Sequence, residues 1–289
     1  MMRIKLTILL LLFALLVAGQ QADSTQRKTW FTKKNMVTTG IVLQQMGSLY
    51  IEYKWWWEGN MHKFIWLNDS GFNNYSYGMD KLGHAYTSYL YFNVINESMK
   101  WAGYTEKQRL LWSIILPTSW ALSIELGDAF STWGFSVPDL LFNLGGIGYG
   151  VLQQKVPYMK NINFKYSYFP SRKYKEMNPN HWALTEDYDG HVYWLSFDLH
   201  QMLPGKLGRN WPAWLNIATG YSVDNYRYKT GTKMHREFLL SLDINLNGIK
   251  SKSPLLNTTK SILNFIHLPL PGIKHSTNGS TQQKLILLN

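Results

Sequence analysis

The sequence predicts an α+β protein, a bundle of about four helices followed by a small antiparallel β-sheet. Two patterns carry this expectation. Between residues 35 and 154 four apolar segments follow a helical pattern, and after Val156 the pattern changes to period two. Composition sets the class: 45% of the 289 residues are hydrophobic and 16% charged, so a sizeable core is available and disorder is excluded. Aromatic residues reach 15%, with 13 Trp and 18 Tyr, and such side chains suit surfaces that are wet on one side and apolar on the other. The absence of cysteine excludes a disulfide framework, a Cys-ligated zinc, a thiol nucleophile and a lipid-bearing N-terminal cysteine.

In chain order, Arg3 and Lys5 precede an apolar run from Leu6 to Val17, and the small residues Ala18 and Gly19 follow it. This layout predicts a signal peptide over 1–19, cleaved near Gly19-Gln20. An uncleaved anchor is the alternative, but the run is shorter than the roughly 20 residues that span a bilayer. The formal net charge of +11 stays strongly positive without Arg3 and Lys5. In an exported protein a basic chain points to acidic lipid surfaces. Nucleic acid is not the expected partner, because no binding motif accompanies the charge.

A helical bundle is expected over 30–156, from segments 35–51, 82–96, 110–124 and 140–154. About 15 residues make about 22 Å of helix against a hydrocarbon core of about 30 Å, which favours a bundle over membrane spans. Pro117 predicts a kink in the third helix. The strand region is expected over 157–249, packed on the bundle. Within it, 160–189 reads as loop and irregular structure, and 192–199, 214–223 and 238–246 read as strands. Three strands cannot close an outer-membrane barrel, which needs about eight. The segment 250–289 is basic and reads as a loosely held tail.

Polar residues at the helix starts and ends are the candidate site, since charge there is costly unless paired or used. Asp80 and His84 are four apart and share a face, which Ser88 continues. Glu125 and Asp128 close the third helix. Asp139 and Asn143 open the fourth, with Ser136 as its N-cap and Pro138 in its first turn. Gly145, Gly146, Gly148 and Gly150 then imply close approach of a helix or a ligand.

Three readings of these residues stay open. Asp80, Lys81, His84, Glu125, Asp128, Ser136, Asp139 and Asn143 can form a structural hydrogen-bond network that fixes the helix ends. His84, Glu125, Asp128 and Asp139 can bind a divalent metal such as zinc, manganese or iron, although Glu-x-x-His spacing is missing. His84 can act as a general base oriented by Asp80, with Glu125 as a second catalytic carboxylate and no metal. Elsewhere, Trp55-Trp56-Trp57 reads either as an interfacial anchor or as a cap over the first helix. His181, His191, His200 and His235 read as surface residues, and Asp198 and His200 as neighbours on one strand face.

The segments Met79-Asp80-Lys81-Leu82-Gly83-His84, Glu125-Leu126-Gly127-Asp128 and Trp133-Gly134-Phe135-Ser136-Val137-Pro138-Asp139-Leu140-Leu141-Phe142-Asn143 resemble the YfiM-like family of predicted periplasmic lipoproteins. Phe64, Asn68, Asp69, Tyr193-Trp194-Leu195-Ser196 and Trp214-Leu215-Asn216 are similar to its longer, outer-membrane-associated members. More distantly the order of motifs resembles VanZ-like membrane proteins. The resemblance implies location in the periplasm or outer membrane and brings no activity. This chain departs from it in lacking a lipobox cysteine and a terminal aromatic residue. Together these readings predict an exported envelope protein. It is either a non-catalytic component or assembly factor, with membrane lipid or outer-membrane proteins as partners, or a metal- or His-dependent hydrolase of an envelope lipid or glycan.

Overall fold

A computed structural model describes residues 32–177, 184–226 and 233–287. The predicted signal peptide, its cleavage point and His181 lie outside these residues. The fold is α+β, with a helical region ahead of a six-stranded antiparallel meander.

Four long helices form the first part: α1 (Lys33–Glu52), α2 (Met79–Trp101), α3 (Glu106–Ala129) and α4 (Val137–Lys155). Each starts where side-chain chemistry satisfies free backbone N–H groups. Thr32 caps α1, and Thr105 and Gln108 form a capping box on α3. Ser136 caps α4 by accepting from the Asp139 N–H at 3.2 Å. A π turn, Tyr53–Trp57, continues α1 and turns Trp57 inward, while Trp55 stays exposed. The helix α3 continues through Pro117. Glycine sets the contact between α2 and α4: a Cβ on Gly146 would lie 2.0 Å from the Ala85 carbonyl oxygen, and one on Gly150 would lie 2.4 Å from the Phe92 ring.

The sheet runs β1 (Ile162–Tyr168), β2 (His191–Phe197), β3 (Leu215–Asp224), β4 (His235–Ile244), β5 (Gly272–Ser276) and β6 (Thr281–Lys284), each antiparallel to the next. Short helices α5 (Arg172–Met177), α6 (Leu199–Met202) and α7 (Gly205–Asn210) fill the connections, and α8 (Pro254–Leu263) links β4 to β5. Residues 265–270 bond to the β1 edge and to the chain that follows β6. The Tyr166 N–H donates to the Phe265 carbonyl and the His267 N–H to the Tyr166 carbonyl, while the Leu287 N–H donates to the Leu270 carbonyl. The segment before β5 thus passes along β1, so the meander curls toward its own first strand and part of the β1 edge is covered.

Its enclosed face mixes polar and apolar side chains, and much of its outward face is apolar and exposed. Along β4, Glu237, Leu239, Ser241 and Asp243 are buried, while Phe238, Leu240 and Leu242 are exposed. Along β3, Asn216, Ala218 and Ser222 are buried. Paired polar groups hold the inner face. The Lys165 ammonium meets Asp243 at 2.7 Å, the Ile244 carbonyl and Asn264, and Lys274 meets Glu237 at 2.9 Å. Trp194 stacks on His267 at 3.9 Å. The start of α2 and the turn before it cover the outward face over β1, β2 and the end of β3, where Tyr86 and Met79 belong to one cluster with Tyr193, Phe164 and Val223.

Four expectations need correction. The stretch 160–189 is not irregular, because β1 and α5 lie in it. The segment 250–289 is not a loose tail: α8, β5 and β6 belong to the fold, and Phe265, His267, Lys274 and Leu287 are buried. His191 is buried rather than at the surface, and its Nε2–H donates to the Leu184 carbonyl. Asp198 caps α6 instead of sharing a strand with His200.

Candidate functional site

Helices α2, α3 and α4 bring their polar ends together, and a loop from the aromatic stretch before α2 supplies one more carboxylate. Lys81 is the centre. Its side chain is fully buried, and its ammonium donates to Asp69, Asp80 and Asp139. Asp80 is reached at 2.8 Å. Burial opposes the charge on Lys81, but the Asp80 and Asp139 carboxylates overcome it and hold the ammonium's pKa above its ordinary value. Asp69 also accepts from the Ser136 hydroxyl at 3.2 Å, so the loop is tied to the cap of α4.

His84 stands at the open edge of this cluster, with its side chain 21% exposed. Its Nε2 lies 3.7 Å from Asp80 and 3.6 Å from Asp139, and Asn143 meets its Nδ1 at 3.1 Å. Burial lowers the imidazole's pKa, but Asp139, Asp80 and Glu125 together raise it above the usual value. Asn143 in turn accepts from the buried Ser88 hydroxyl at 2.7 Å. Tyr188, from the turn before β2, donates to Asp80 at 3.3 Å and so ties the sheet region to the cluster. Burial raises the Asp80 pKa, but His84 and Lys81 outweigh it and hold the carboxyl below its ordinary value.

The carboxylates of α3 take other partners. Glu125 accepts the Ser136 N–H at 3.0 Å through one oxygen, while its second oxygen is buried without a partner. Burial pushes its pKa up to about 7 against the pull of His84. Asp128 accepts from the Trp57 indole at 2.7 Å, and burial pushes its pKa to about 6.

The donor atoms of Asp80, His84 and Asp139 lie within 4.8 Å of one another and can hold a metal ion. Glu125 and Asp128, which the sequence groups with them as ligands, stand outside this triad: Glu125 accepts from Ser136 through one oxygen and Asp128 from the Trp57 indole. The donor set is chemically suitable for a divalent ion, yet Lys81 already supplies a cation among the same carboxylates. A proton, held between His84 and the two aspartates, is the other species the geometry can manage. Sequence spacing pointed to the helix-borne members. It could not weigh Asp69 or Tyr188, whose approach depends on tertiary structure, although Asp69 is the lone acid in an aromatic stretch.

Residues 66–155 match a family described as predicted periplasmic lipoprotein (DUF2279). The matched segment is less than a third of the chain and contains Asp69, Lys81, His84, Glu125 and Asp139, but none of the sheet. The description agrees with an exported protein of the periplasm or outer membrane, although this chain has no cysteine to carry a lipid. No curated protein and no solved structure matches the chain.

Proposed function

We propose that the protein is a non-catalytic component or assembly factor of the cell envelope that associates with the outer membrane through the outward face of its sheet. One observation carries this reading: the outward face of the sheet is apolar and exposed, while charged pairs are buried on the enclosed face beside a small apolar core of Trp194, Ala218 and Leu239. Phe238 is 51% exposed and Leu240 49%, while Asp243 and Lys165 on the opposite face are fully buried. A soluble antiparallel sheet places its apolar face on the core, whereas a lipid-facing sheet does the opposite. The exposed Leu111, Ile115, Leu122 and Leu126 of α3, and Leu141 and Leu144 of α4, extend the apolar surface. Among the described residues α3 is the one helix long and apolar enough to cross a membrane. The polar cluster then serves as a tie between helix ends, neutralised from within by Lys81. Membrane lipid or outer-membrane proteins are the partners this surface suits. Fractionation tests it: the protein should sediment with outer membranes and resist a high-salt wash, since apolar contact is not screened by salt. Recovery in the soluble periplasm would refute it.

A second reading rests on the approach of Asp80, His84 and Asp139, and makes the protein a metal- or His-dependent hydrolase of an envelope lipid or glycan. Elemental analysis of the purified protein separates the two. A stoichiometric divalent ion lost in His84→Ala supports the hydrolase with its metal.

A further inference from the structure

We propose that a groove between α4 and the outward face of the sheet holds the acyl chain of a single-chain anionic amphiphile, with Arg236 taking its headgroup. The groove encloses about 830 Å³, within the usual range for small-molecule sites. Leu82 and Ala85 of α2, Gly145 and Tyr149 of α4, and Leu195 and Phe238 of the sheet line it. Gly145 keeps it open. A Cβ there would meet nothing within 4 Å, whereas the neighbouring Gly146 is already pressed against α2. The first of these glycines therefore serves space and the second serves packing.

Charge fixes the occupant. Arg236 lines the groove and alternates along β4 onto the same face as Phe238, Leu240 and Leu242. Within the groove β4 contributes Arg236 and Phe238, and beyond it the same face continues through Leu240 to Leu242, about 20 Å from Arg236 at strand spacing, so a long acyl chain has apolar surface along its whole reach. The guanidinium donates to Asn73 at 3.1 Å, bonds the Tyr221 hydroxyl and lies 4.3 Å from the Tyr77 ring, and among the described residues no ion pair with a carboxylate is seen. Its remaining donors suit a carboxylate or phosphate. A peptide strand has no edge to join, because β4 is bonded to β3 on one side and β5 on the other. A sugar or nucleotide would need polar groups along a wall that offers almost none. One cation beside a continuous apolar wall matches one charged head and one chain. This goes beyond membrane association, since the groove can take its ligand from solution or from a bilayer.

Calorimetric titration of the purified protein with palmitate, kept below its aggregation concentration, tests the site. Saturable one-to-one binding is expected. Gly145→Leu fills the groove at a helical position where a larger residue favours the helix, and should weaken palmitate about tenfold with an unchanged or raised melting temperature. Arg236→Gln should weaken palmitate similarly, yet bind the uncharged methyl ester as the parent does. Lysophosphatidate run in parallel identifies the headgroup by which ligand binds tighter. Non-saturable uptake, or palmitate affinity unchanged in Gly145→Leu, overturns the proposal. Sedimentation of Gly145→Leu with outer membranes is read separately, so failure of the groove and failure of membrane association are distinguishable.

Discussion

Lys81 is fully buried among three carboxylates, and that makes its worth to the fold testable. Lys81→Met keeps the bulk and removes the charge, leaving Asp69, Asp80 and Asp139 to repel one another. A broken buried ion pair costs about 3–5 kcal/mol, so a large fall in melting temperature is expected. Recovery on adding zinc or manganese would show that the carboxylates can accept a metal in place of the ammonium. Glu125 makes a second residue-scale prediction. Its pKa rises from 4.5 to about 7 because of burial, with His84 opposing and Asp139 and Asp128 adding to the shift. A raised folded-state pKa means stability is fully present below the unfolded value and lost as pH climbs through the folded value. Glu125→Gln resembles the protonated acid and should hold its stability. Its melting temperature should gain on the parent between pH 4.5 and about 7, by on the order of 3 kcal/mol, and then level off. A gap that does not widen with pH would mean the carboxyl is ionised at little cost. His84 adds a loss in the same direction above its ordinary pKa. His191 and His267, which burial pushes down to about 4, act oppositely at lower pH and are common to both proteins.

At the scale of elements, the glycines of α4 divide the labour between packing and space. Gly146→Ala would drive a methyl against the Ala85 carbonyl at 2.0 Å, a backbone atom that cannot swing aside. The expected cost is about 1–3 kcal/mol or more, with α2 and α4 forced apart, and chemical denaturation measures it. No loss of stability would show that the two helices can slide. The four long helices were legible because apolar spacing, caps and charged borders agreed; Thr105 with Gln108 and Ser136 with Asp139 mark starts that the sequence alone suggests. The strands β1, β5 and β6 were harder. In β1, Lys165 points inward and Phe164 and Tyr166 toward α2, so a lysine that normally marks surface sits in the interior. In β5, Lys274 does the same beside Glu237. Local polarity therefore resembled a loop and a basic tail, and only the pairing of distant charges makes these segments strands.

For the whole molecule, the decisive feature is which way the sheet faces, and the sequence could not tell this. Period two in β4 identified a strand and grouped Phe238, Leu240 and Leu242, but alternation has no sign: the apolar set can face a core or a bilayer. In the structure the enclosed face carries Asp243, Lys165 and Glu237, so the apolar set of β4 lies on the exposed face, with lipid as its proposed contact. Paired substitutions on the two faces turn this into a measurement. Leu240→Asn with Leu242→Asn changes half-exposed side chains that bury little on folding, so the melting temperature in solution should hold or rise. Retention of that variant on outer membranes through a high-salt wash should fall sharply, since polar groups on a lipid-facing surface are costly. Leu239→Ala, one residue away, removes a buried side chain packed with Trp194, Val192 and Leu287. It should lose about 2–4 kcal/mol of stability while its folded fraction keeps its membrane affinity. Equal effects of the two changes on both measurements would mean that the outward face meets another part of a protein assembly rather than lipid.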